Sequence, residues 1–342
     1  MKIGWIPFSD DPRIASARLR CALPARYLAA AGWDSELLDP RRPHAYDVVV
    51  FQKAYSDDSL ALARGLRARG TRIVFDLCDN HFYNPEASPV LRERAERLRR
   101  MLELADAVTV STAPLRELVA ESDPVVVDDA LDDFERPGRL RLRLASRLRR
   151  RSEVRLVWFG NAGMETPSFG LPHLVGAIAV LEEFHRTHRM RLTVISNSKS
   201  MYRRVLGRAR FPHTYREWSA DRFARDFGSH DICIIPIERN PFTVCKTANR
   251  VALSLRLGVP VIADAIPSFE PFAPYILVGN WPENLSRYAS DQRLREDHVR
   301  EGRRYVEATY TPERVVAQWG GVFERLLRST APTAAVPERA RL

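Results

Sequence analysis

The sequence predicts an α/β protein with two domains, each a parallel β-sheet covered by helices on both faces. Short and almost wholly apolar segments, such as Asp47–Gln52 (DVVVFQ), take turns with amphipathic helical patterns, which is typical of strands buried in parallel sheets. This alternation stops at an arginine-rich segment, Arg136–Arg151, and then starts afresh. A chain of 342 residues is long enough for two sheets in series.

The first domain, over residues 1–135, is predicted from local patterns of apolar residues and turn signals. Its helices end at glycines, Gly32 for the first and Gly70 for the second. The predicted strands are Lys2–Phe8, Ser35–Leu38, Asp47–Gln52, Arg72–Leu77, Ala107–Ser111 and Pro124–Val127. The predicted helices are Ser16–Ala31, Ser56–Arg69 and Pro89–Leu104.

The second domain, over residues 153–310, follows a basic linker at 136–152. Its predicted strands are Val154–Phe159, Arg191–Ser196, Asp231–Ile237, Val259–Ala263 and Tyr275–Val278. Its predicted helices are Phe169–His188, Asp221–Phe227 and Lys246–Leu257, and the chain reads as helical again from Pro282 to Arg328. We expect a C-terminal helix over 311–329 and a disordered tail over 330–342. Two Rossmann-like sheets in series leave a central cleft, and ligands of such sheets bind at the carboxyl ends of the strands.

Composition limits the class of protein. The four cysteines have no C-x-x-C spacing, so we expect reduced core thiols in a cytoplasmic protein. The segment Met1–Phe8 is too short for a signal peptide and charged residues follow it at once. No apolar run approaches the ~20 residues that a membrane span needs.

The net charge of +10 raises the possibility of a nucleic-acid partner. Much of the excess is local, because Arg136–Arg151 (RPGRLRLRLASRLRRR) holds eight arginines. No aromatic residues are interleaved with them and no zinc-finger or RNP-like motif is present, so we expect no nucleic acid. The segment is either a solvated linker or a contact to anionic lipid at the inner face of the plasma membrane.

The most informative stretch is KTANRVALSLRLGVPVIAD, at Lys246–Asp264. Lys246, Asn249 and Arg250 are spaced i, i+3 and i+4, so they would share one face in the first turn of the predicted helix. Free backbone N–H groups and the helix dipole favour an anion there. A pocket for a diphosphate needs such a cationic helix start, although an amphipathic helix with solvated Lys and Arg remains an alternative.

Two loops of the second domain are further candidates for the same ligand. Gly160-Asn161-Ala162-Gly163 follows a strand directly, where a glycine turn lets backbone N–H groups approach a phosphate, or is a plain strand-to-helix turn. It is not G-x-G-x-x-G and the chain has no Walker lysine, which disfavours nicotinamide cofactors and ATP. Glu270, in the loop after the last long strand, could bind sugar or ribose hydroxyls.

Polar residues of the first domain are candidates for the other side of the cleft. The segment FDLCDNHF ends a strand and places Asp76, Asp79 and His81 there, where a carboxylate or imidazole could take a proton from a substrate hydroxyl. Asp76 and Asp79 alone would make a weak metal site. The acidic residues of Asp128–Asp133 are more simply explained as offsetting the charge of nearby arginines, so no metal is expected. Arg18 could hold an anionic acceptor, reach the donor phosphates, or face solvent.

Together these segments resemble glycosyltransferases of the GT-B fold, specifically the large retaining, nucleotide-sugar-using group of bacterial cell-surface polysaccharide synthesis. The similar features are Ser16-x-Arg18-x-Arg20 with Pro24, FDLCDNHF, Ala105–Ser111 (ADAVTVS), Phe159-Gly160-Asn161, and K-x-x-N-R followed by G-x-P-V-I-A. Their order spans most of the chain. The sequence departs from the group in lacking an E-x7-E pattern across the donor helix, where Lys246, Asn249 and Arg250 stand instead.

The resemblance implies that the second domain binds a nucleoside-diphosphate sugar and the first a saccharide or lipid-linked acceptor, with no metal and no cofactor. Gly160 and Asn161 would donate backbone hydrogen bonds to the phosphates and Asn249 would orient the donor. Lys246 and Arg250 would neutralise the leaving diphosphate, which makes both catalytic.

For the acceptor, the resemblance implies that Asp79 or His81 contacts the sugar or the acceptor hydroxyl. One of the two would be the base if the reaction inverts, and neither need be if it retains. The alternatives are a sugar-nucleotide epimerase with a similar cleft and a catalytically silent partner subunit of the same fold.

Overall fold

The computed structural model describes residues 1–39, 41–42, 44–134, 153–166 and 168–328. Within these ranges the chain forms two six-stranded parallel sheets, one in each half, which confirms the predicted fold class. The basic linker and the C-terminal tail predicted from the sequence lie outside the described residues.

The first sheet has the strand order β2-β1-β3-β4-β5-β6. Its strands are β1 (Lys2–Ile6), β2 (Asp34–Leu37), β3 (Val48–Gln52), β4 (Arg72–Leu77), β5 (Ala107–Val110) and β6 (Val125–Val126). The side chains of β3 alternate between two apolar clusters, since Val48 and Val50 belong to one and Val49 and Phe51 to the other. This alternation follows from the two-residue period of a strand and places a core on each face of the sheet.

The second sheet has the order β11-β10-β7-β12-β13-β14. Its strands are β7 (Val154–Phe159), β10 (Met190–Ser196), β11 (His213–Glu217), β12 (Ile232–Ile235), β13 (Val261–Ala263) and β14 (Leu277–Val278). A separate antiparallel pair, β8 (Gly163–Met164) with β9 (Phe169–Gly170), follows β7. Apolar clusters cover both faces of this sheet as well.

The helices join successive strands and cover the sheets. In the first half they are Ala15–Ala17, a π-helical turn at Arg18–Ala22, Leu23–Ala30, Asp57–Arg67, Pro89–Leu104 and Ala113–Leu118. In the second half they are Leu174–Thr187, Lys199–Leu206, Ala220–Phe227, Asn249–Leu257, Trp281–Ser290, Gln292–Thr309 and Pro312–Arg328. Short 3₁₀ segments cover Ala120–Ser122, Leu171–His173, Thr243–Cys245 and Pro267–Tyr275. None of the described helices is long and apolar enough to cross a membrane.

Two predicted helices of the second half begin later than expected. The helix predicted from Phe169 begins only at Leu174, because Phe169–Gly170 pairs with Gly163–Met164 instead. The helix predicted from Lys246 begins at Asn249 and is called the cleft helix from here on. It ends as predicted at Gly258, whose φ of 91° is the left-handed conformation that glycine adopts without strain.

The last helix, Pro312–Arg328, crosses back to the first sheet. Trp319 is fully buried there and packs edge-on against Trp5, with 4.7 Å between the ring centroids. The first domain is therefore completed by the C-terminal end of the described chain. All four cysteines are buried and unpaired, as expected of core thiols.

Candidate active site

The carboxyl ends of strands from both sheets line one cavity of about 450 Å³. Lys53 and Asp79 follow β3 and β4 of the first sheet, while Gly160, Asn197 and Trp218 follow β7, β10 and β11 of the second. This is where ligands of open parallel sheets bind, and the volume is in the range of ~300–1,000 Å³ typical of small-molecule sites. The cleft that the sequence predicted is present.

Arg250, in the first turn of the cleft helix, presents a guanidinium to this cavity without an acidic partner. Its Nη1 donates one long hydrogen bond, 3.4 Å, to the carbonyl of Phe159, and the group lies 5.9 Å from the Trp158 ring. Within the described part of the chain no carboxylate forms an ion pair with it. Burial lowers the pKa of Arg250 to about 10, so the group is a charged cation at neutral pH that an anion would compensate.

Gly160 lies beside Arg250 but not in the role that the sequence suggested. Its N–H donates to the carbonyl of Ile195 at 3.1 Å, so it does not point to a phosphate, and that expectation was wrong. A Cβ at this position would lie 3.0 Å from the Trp158 ring and 3.5 Å from Arg250 Nη1. The glycine therefore makes room for the indole and the guanidinium. Asn161 is exposed at the cavity, and its Oδ1 accepts from the Gly163 N–H at 3.0 Å.

Asn249 and Thr247 connect the start of the cleft helix to the first domain through one buried carboxylate, Asp129. The Thr247 hydroxyl donates to Asp129 Oδ2 at 2.6 Å, and Asn249 Nδ2 donates to the same oxygen at 3.3 Å. Arg20 lies 3.5 Å from the other oxygen of Asp129. Asn249 lines the cavity, as predicted, and it also fixes the position of the helix start.

Lys246 is not on the cleft helix, which corrects the prediction that it shares a helical face with Asn249 and Arg250. Its backbone is extended, with φ −70° and ψ 149°, and it precedes the helix. Its ammonium forms an ion pair with Asp79 and lies 4.2 Å from the centre of the Phe242 ring. Lys246 still lines the cavity, where it bridges the two domains.

Asp79 is held by two lysines, one from each domain. Lys53 Nζ lies 2.5 Å from Asp79 Oδ2, and Lys246 contacts the other oxygen. Burial alone would raise the pKa of Asp79, but the charges of Lys246 and Lys53 hold it below its usual range. Asp79 is therefore a fixed carboxylate and a poor proton acceptor.

His81 is buried in the cavity wall with Tyr55 and Phe242. Its Nδ1 and the Tyr55 hydroxyl form a hydrogen bond of 2.5 Å, and its ring stacks on Phe242. Burial, assisted by the Lys53 charge, lowers the pKa of His81 to about 3. The imidazole is therefore neutral at physiological pH and a weak base.

Asp76 does not reach the cleft, and the prediction of an acceptor-side role for it was wrong. It belongs to β4, is fully buried and pairs with Arg20, whose Nε lies 3.2 Å from Asp76 Oδ2. The Thr109 hydroxyl donates to Oδ1 at 2.8 Å. The carboxylate is thus satisfied within the protein and holds Arg20 in place.

Arg18 lines the cavity and contacts both domains. Its Nε and Nη2 donate to the two oxygens of Asp132 at 3.0 and 2.9 Å, and its guanidinium lies 4.5 Å from the centre of the Trp218 ring. The acids of Asp128–Asp133 pair with arginines from distant parts of the chain, Arg18, Arg20, Arg26 and Arg314, whereas the nearby arginines expected as partners lie outside the described residues. Among the described residues, no group of three or more His, Cys, Asp or Glu side chains could hold a metal ion.

Comparison with solved structures gives the fold. The chain is similar to the Anabaena protein HepE in complex with UDP and glucose, with 12% identity, 95% of this chain and 99% of that chain covered, and a TM-score of 0.69. It is similar to a glycosyltransferase from Rickettsia africae, with 11% identity, 96% and 98% covered, and a TM-score of 0.66. An E. coli trehalose-6-phosphate protein bound with UDP-2-fluoro glucose matches at 15% identity, 82% and 72% covered, and a TM-score of 0.55. The chain has the GT-B fold. No family model and no curated protein sequence matches it.

Glu270 lies outside the cleft of this GT-B chain. It is exposed on the 3₁₀ segment Pro267–Tyr275, and the cavity is lined by its neighbours Ile266 and Phe269 instead. The loop after β13 reaches the site with apolar side chains, so the structure does not bring this predicted donor residue to the others.

Sequence reasoning missed several residues that line the cavity. Lys53 directly follows a buried strand, and the positional logic that found Asp79 would also have found it. Its φ of 52° is left-handed, which is uncommon for a residue other than glycine and clusters at functional sites. Arg94 also lines the cavity, from the helix Pro89–Leu104, and nothing in that arginine-rich helix distinguishes it in the sequence.

Proposed function

We propose that this chain is a glycosyltransferase that moves a sugar from a nucleoside-diphosphate sugar to an acceptor. The observation that carries the proposal is the uncompensated guanidinium of Arg250 at the start of a helix in the cavity. A half-buried cation without an acidic partner destabilises the unliganded protein, and a diphosphate supplies the missing charge. Structural neighbours bound to UDP or a UDP-sugar support this class of ligand.

In the proposed reaction, Arg250 and Lys246 stabilise the negative charge that grows on the leaving diphosphate. Electrostatic groups held in place before the reaction are the most effective means of doing so. Arg250 is held at the Phe159 carbonyl beside Trp158. Lys246 is shared with Asp79, so the donor competes with that carboxylate for the ammonium. The N-terminal N–H groups of the cleft helix add to the same field.

Asp79 and His81 are proposed to position the acceptor hydroxyl. The pKa of His81 is about 3 and that of Asp79 is below its usual range, so neither is tuned to take a proton near neutral pH. Both are fixed by neighbours, Asp79 by the two lysines and His81 by Tyr55. This arrangement favours an outcome that needs no protein base, which supports retention of configuration.

We further propose a hexosyl donor, catalysis without a metal ion or cofactor, and a saccharide or lipid-linked acceptor in polysaccharide or glycolipid synthesis. Fixed cations at the site support catalysis without a metal ion, because they take the place of a metal beside the diphosphate. A cytoplasmic protein that touches anionic lipid through Arg136–Arg151 would suit such an acceptor.

The experiment begins with a thermal-shift screen of purified protein against nucleoside diphosphates and nucleotide sugars, with UDP first, without metal and then with magnesium. A ligand at 100 times its Kd stabilises the native state by about 2.7 kcal/mol. We expect one nucleoside diphosphate to raise the Tm and the matching nucleotide sugar to be consumed when acceptors are added. Binding without turnover would favour a silent partner subunit, turnover of the sugar without acceptor would favour an epimerase, and no binding at all would contradict the proposal.

A further inference from the structure

Arg94 is a second cation in the cavity whose polar atoms have no partner. It belongs to the helix Pro89–Leu104 of the first domain. Its Nε and Nη2 atoms are buried and make no hydrogen bond, and among the described residues no carboxylate pairs with it. Leaving a buried donor unsatisfied costs about 1–3 kcal/mol, and more for a charged group. Such a group in a cavity wall calls for a partner from the cavity, which is a water, an ion or a ligand.

The other arginines of the same helix have a protein partner or are exposed to solvent. Arg97 pairs with Glu93 at 2.8 Å, and Arg99 lies 5.4 Å from the centre of the Phe82 ring. Arg92 is exposed to solvent. Only Arg94, of these four, lines the cavity, so its lack of a partner is a property of the site and not of the helix.

Arg94 lines the cavity from the first domain, whereas Arg250 lines it from the second. Burial is the main cause that lowers the pKa of His81 and raises the pKa of Tyr55, and the charge of Arg94 acts on both groups. The charge of Arg250 acts instead on His173, in the second domain, where burial also lowers the pKa. The two guanidinium groups thus enter the cavity from different domains and act on different neighbouring side chains.

The surroundings of Arg94 carry an excess of positive charge. The nearby carboxylate, Asp79, is already shared by Lys53 and Lys246. Tyr55 and His81, which bond to each other, are both neutral near pH 7, since the pKa of Tyr55 is raised to about 12 and that of His81 is lowered to about 3. Among the described residues no carboxylate pairs with Arg94, and an anion entering the cavity from this side would neutralise it.

We propose that Arg94 binds an anionic group, a carboxylate or a phosphate, carried by the acceptor. A guanidinium presents paired N–H donors that match either group in a bidentate geometry. The assignment of this anion to the acceptor rests on the proposed transferase function, since the donor diphosphate occupies the side of Arg250. The acceptor is therefore an acidic saccharide or a sugar phosphate, including one joined to a lipid through phosphate.

The test uses calorimetric titrations of three related sugars, glucose, glucuronate and glucose 6-phosphate, into protein saturated with UDP. UDP then occupies the side of Arg250, so any preference for a charged sugar that is still measured comes from groups of the first domain. We expect the wild type to bind one charged sugar at least ~10-fold more tightly than glucose, which amounts to about 1.4 kcal/mol. Glucuronate and glucose 6-phosphate separate a carboxylate site from a phosphate site.

Three variants identify the residue. Arg94→Gln is expected to lose the preference for the charged sugar, and Arg94→Lys to keep part of it, because an ammonium supplies charge without the paired donors. Arg92→Gln removes the same charge from the exposed side of the same helix and should behave as wild type. Since Arg94 has no hydrogen bond to lose, the Tm of Arg94→Gln should not fall below that of the wild type.

The outcomes separate this inference from the function on which it rests. Equal binding of charged and neutral sugars by the wild type, no binding of either charged sugar, or an unchanged preference in Arg94→Gln would overturn it even if UDP binds. If UDP does not bind, the transferase proposal fails by itself. The titrations are then repeated without nucleotide in Arg250→Gln protein. A preference for the charged sugar that is lost when Arg94→Gln is added supports the anion site, and the lack of any such preference refutes it.

Discussion

In the proposed function, Arg250 serves the donor at a cost to the stability of the unliganded protein. Its pKa falls to about 10 because the charged form is buried without a counter-ion. We predict that Arg250→Gln raises the Tm of the unliganded protein by a few degrees, because an uncompensated charge costs about 1–3 kcal/mol and each kcal/mol moves the Tm of a chain of this length by about 1–2 °C. Thermal unfolding followed by circular dichroism measures it. A clearly lower Tm would mean that the guanidinium stabilises the apo protein.

His81 gives a prediction about pH. Its folded pKa of about 3 lies below the ordinary value near 6.5, so the unfolded chain binds the proton first as the pH falls. The stability that neutral His81 contributes is therefore complete above about pH 6.5 and is lost progressively towards pH 3. We predict that His81→Asn reduces the difference in unfolding free energy between pH 7 and pH 4.5 by about 2 kcal/mol. Urea titrations at both pH values measure this, with the exposed His44→Asn as control.

At the scale of single residues the sequence predicted part of the site. Arg250, Asn249 and Asp79 were found from their positions after strands or at a helix start. Arg94 could not be found, because only the folded chain shows which arginine of its helix turns towards the cavity. Asp76 was misplaced because the strand pattern does not reveal that a carboxylate near the end of β4 is already bound by Arg20 from another element.

Among the elements, the cleft helix shows how a local turn overrides a helical pattern. The side chain of Asn240 accepts hydrogen bonds from the N–H groups of Phe242 and Thr243, which forms a 3₁₀ turn at Thr243–Cys245. Asn is well suited to such side-chain-to-backbone turns. The turn keeps Lys246 extended, and the helix begins only at Asn249. The i, i+4 spacing of Lys246 and Arg250 therefore does not place the two side chains on one face of a helix.

The start of the cleft helix depends on its bond to Asp129. We predict that Thr247→Val, which removes a hydrogen bond of 2.6 Å to a buried carboxylate, lowers the unfolding free energy by about 1.5–3 kcal/mol. Denaturant unfolding measures the change. Thr166→Val removes an exposed bond to Glu86 and should cost much less. Equal effects of the two substitutions would show that the bond to Asp129 does not anchor the helix.

Strands and helices were predicted well where their patterns are strong. β4 at Arg72–Leu77 and the helix Pro89–Leu104 have the predicted bounds, since one is centred on the apolar run Ile73–Phe75 and the other has a long amphipathic period. β11, at His213–Glu217, was missed because it lies at the edge of its sheet, where a polar sequence with no fully buried residue suffices. The hairpin of β8 and β9 was missed because it has only two residues in each strand.

For the whole molecule, the last helix joins the C-terminal end of the described chain to the first domain. Trp319 is fully buried against Trp5 and Phe323. We predict that Trp319→Ala costs about 3–5 kcal/mol, as large-to-small core substitutions do, and exposes the first sheet more than the second. Hydrogen exchange compared strand by strand tests both parts, with Leu327→Ala, at a side chain that is 56% exposed, as control. Equal loss of protection in both sheets would contradict this assignment.

The central claim is that Arg250 binds the diphosphate of the donor, and calorimetric titration of UDP and of uridine tests it most directly. The wild type should bind UDP at least ~100-fold more tightly than uridine, a difference of about 2.7 kcal/mol. Arg250→Gln should lose most of that difference. Arg256→Gln, on the same helix but outside the cavity, should keep it. If Arg250→Gln retains the full preference for UDP over uridine, the guanidinium is not the diphosphate anchor and the account of this site is wrong.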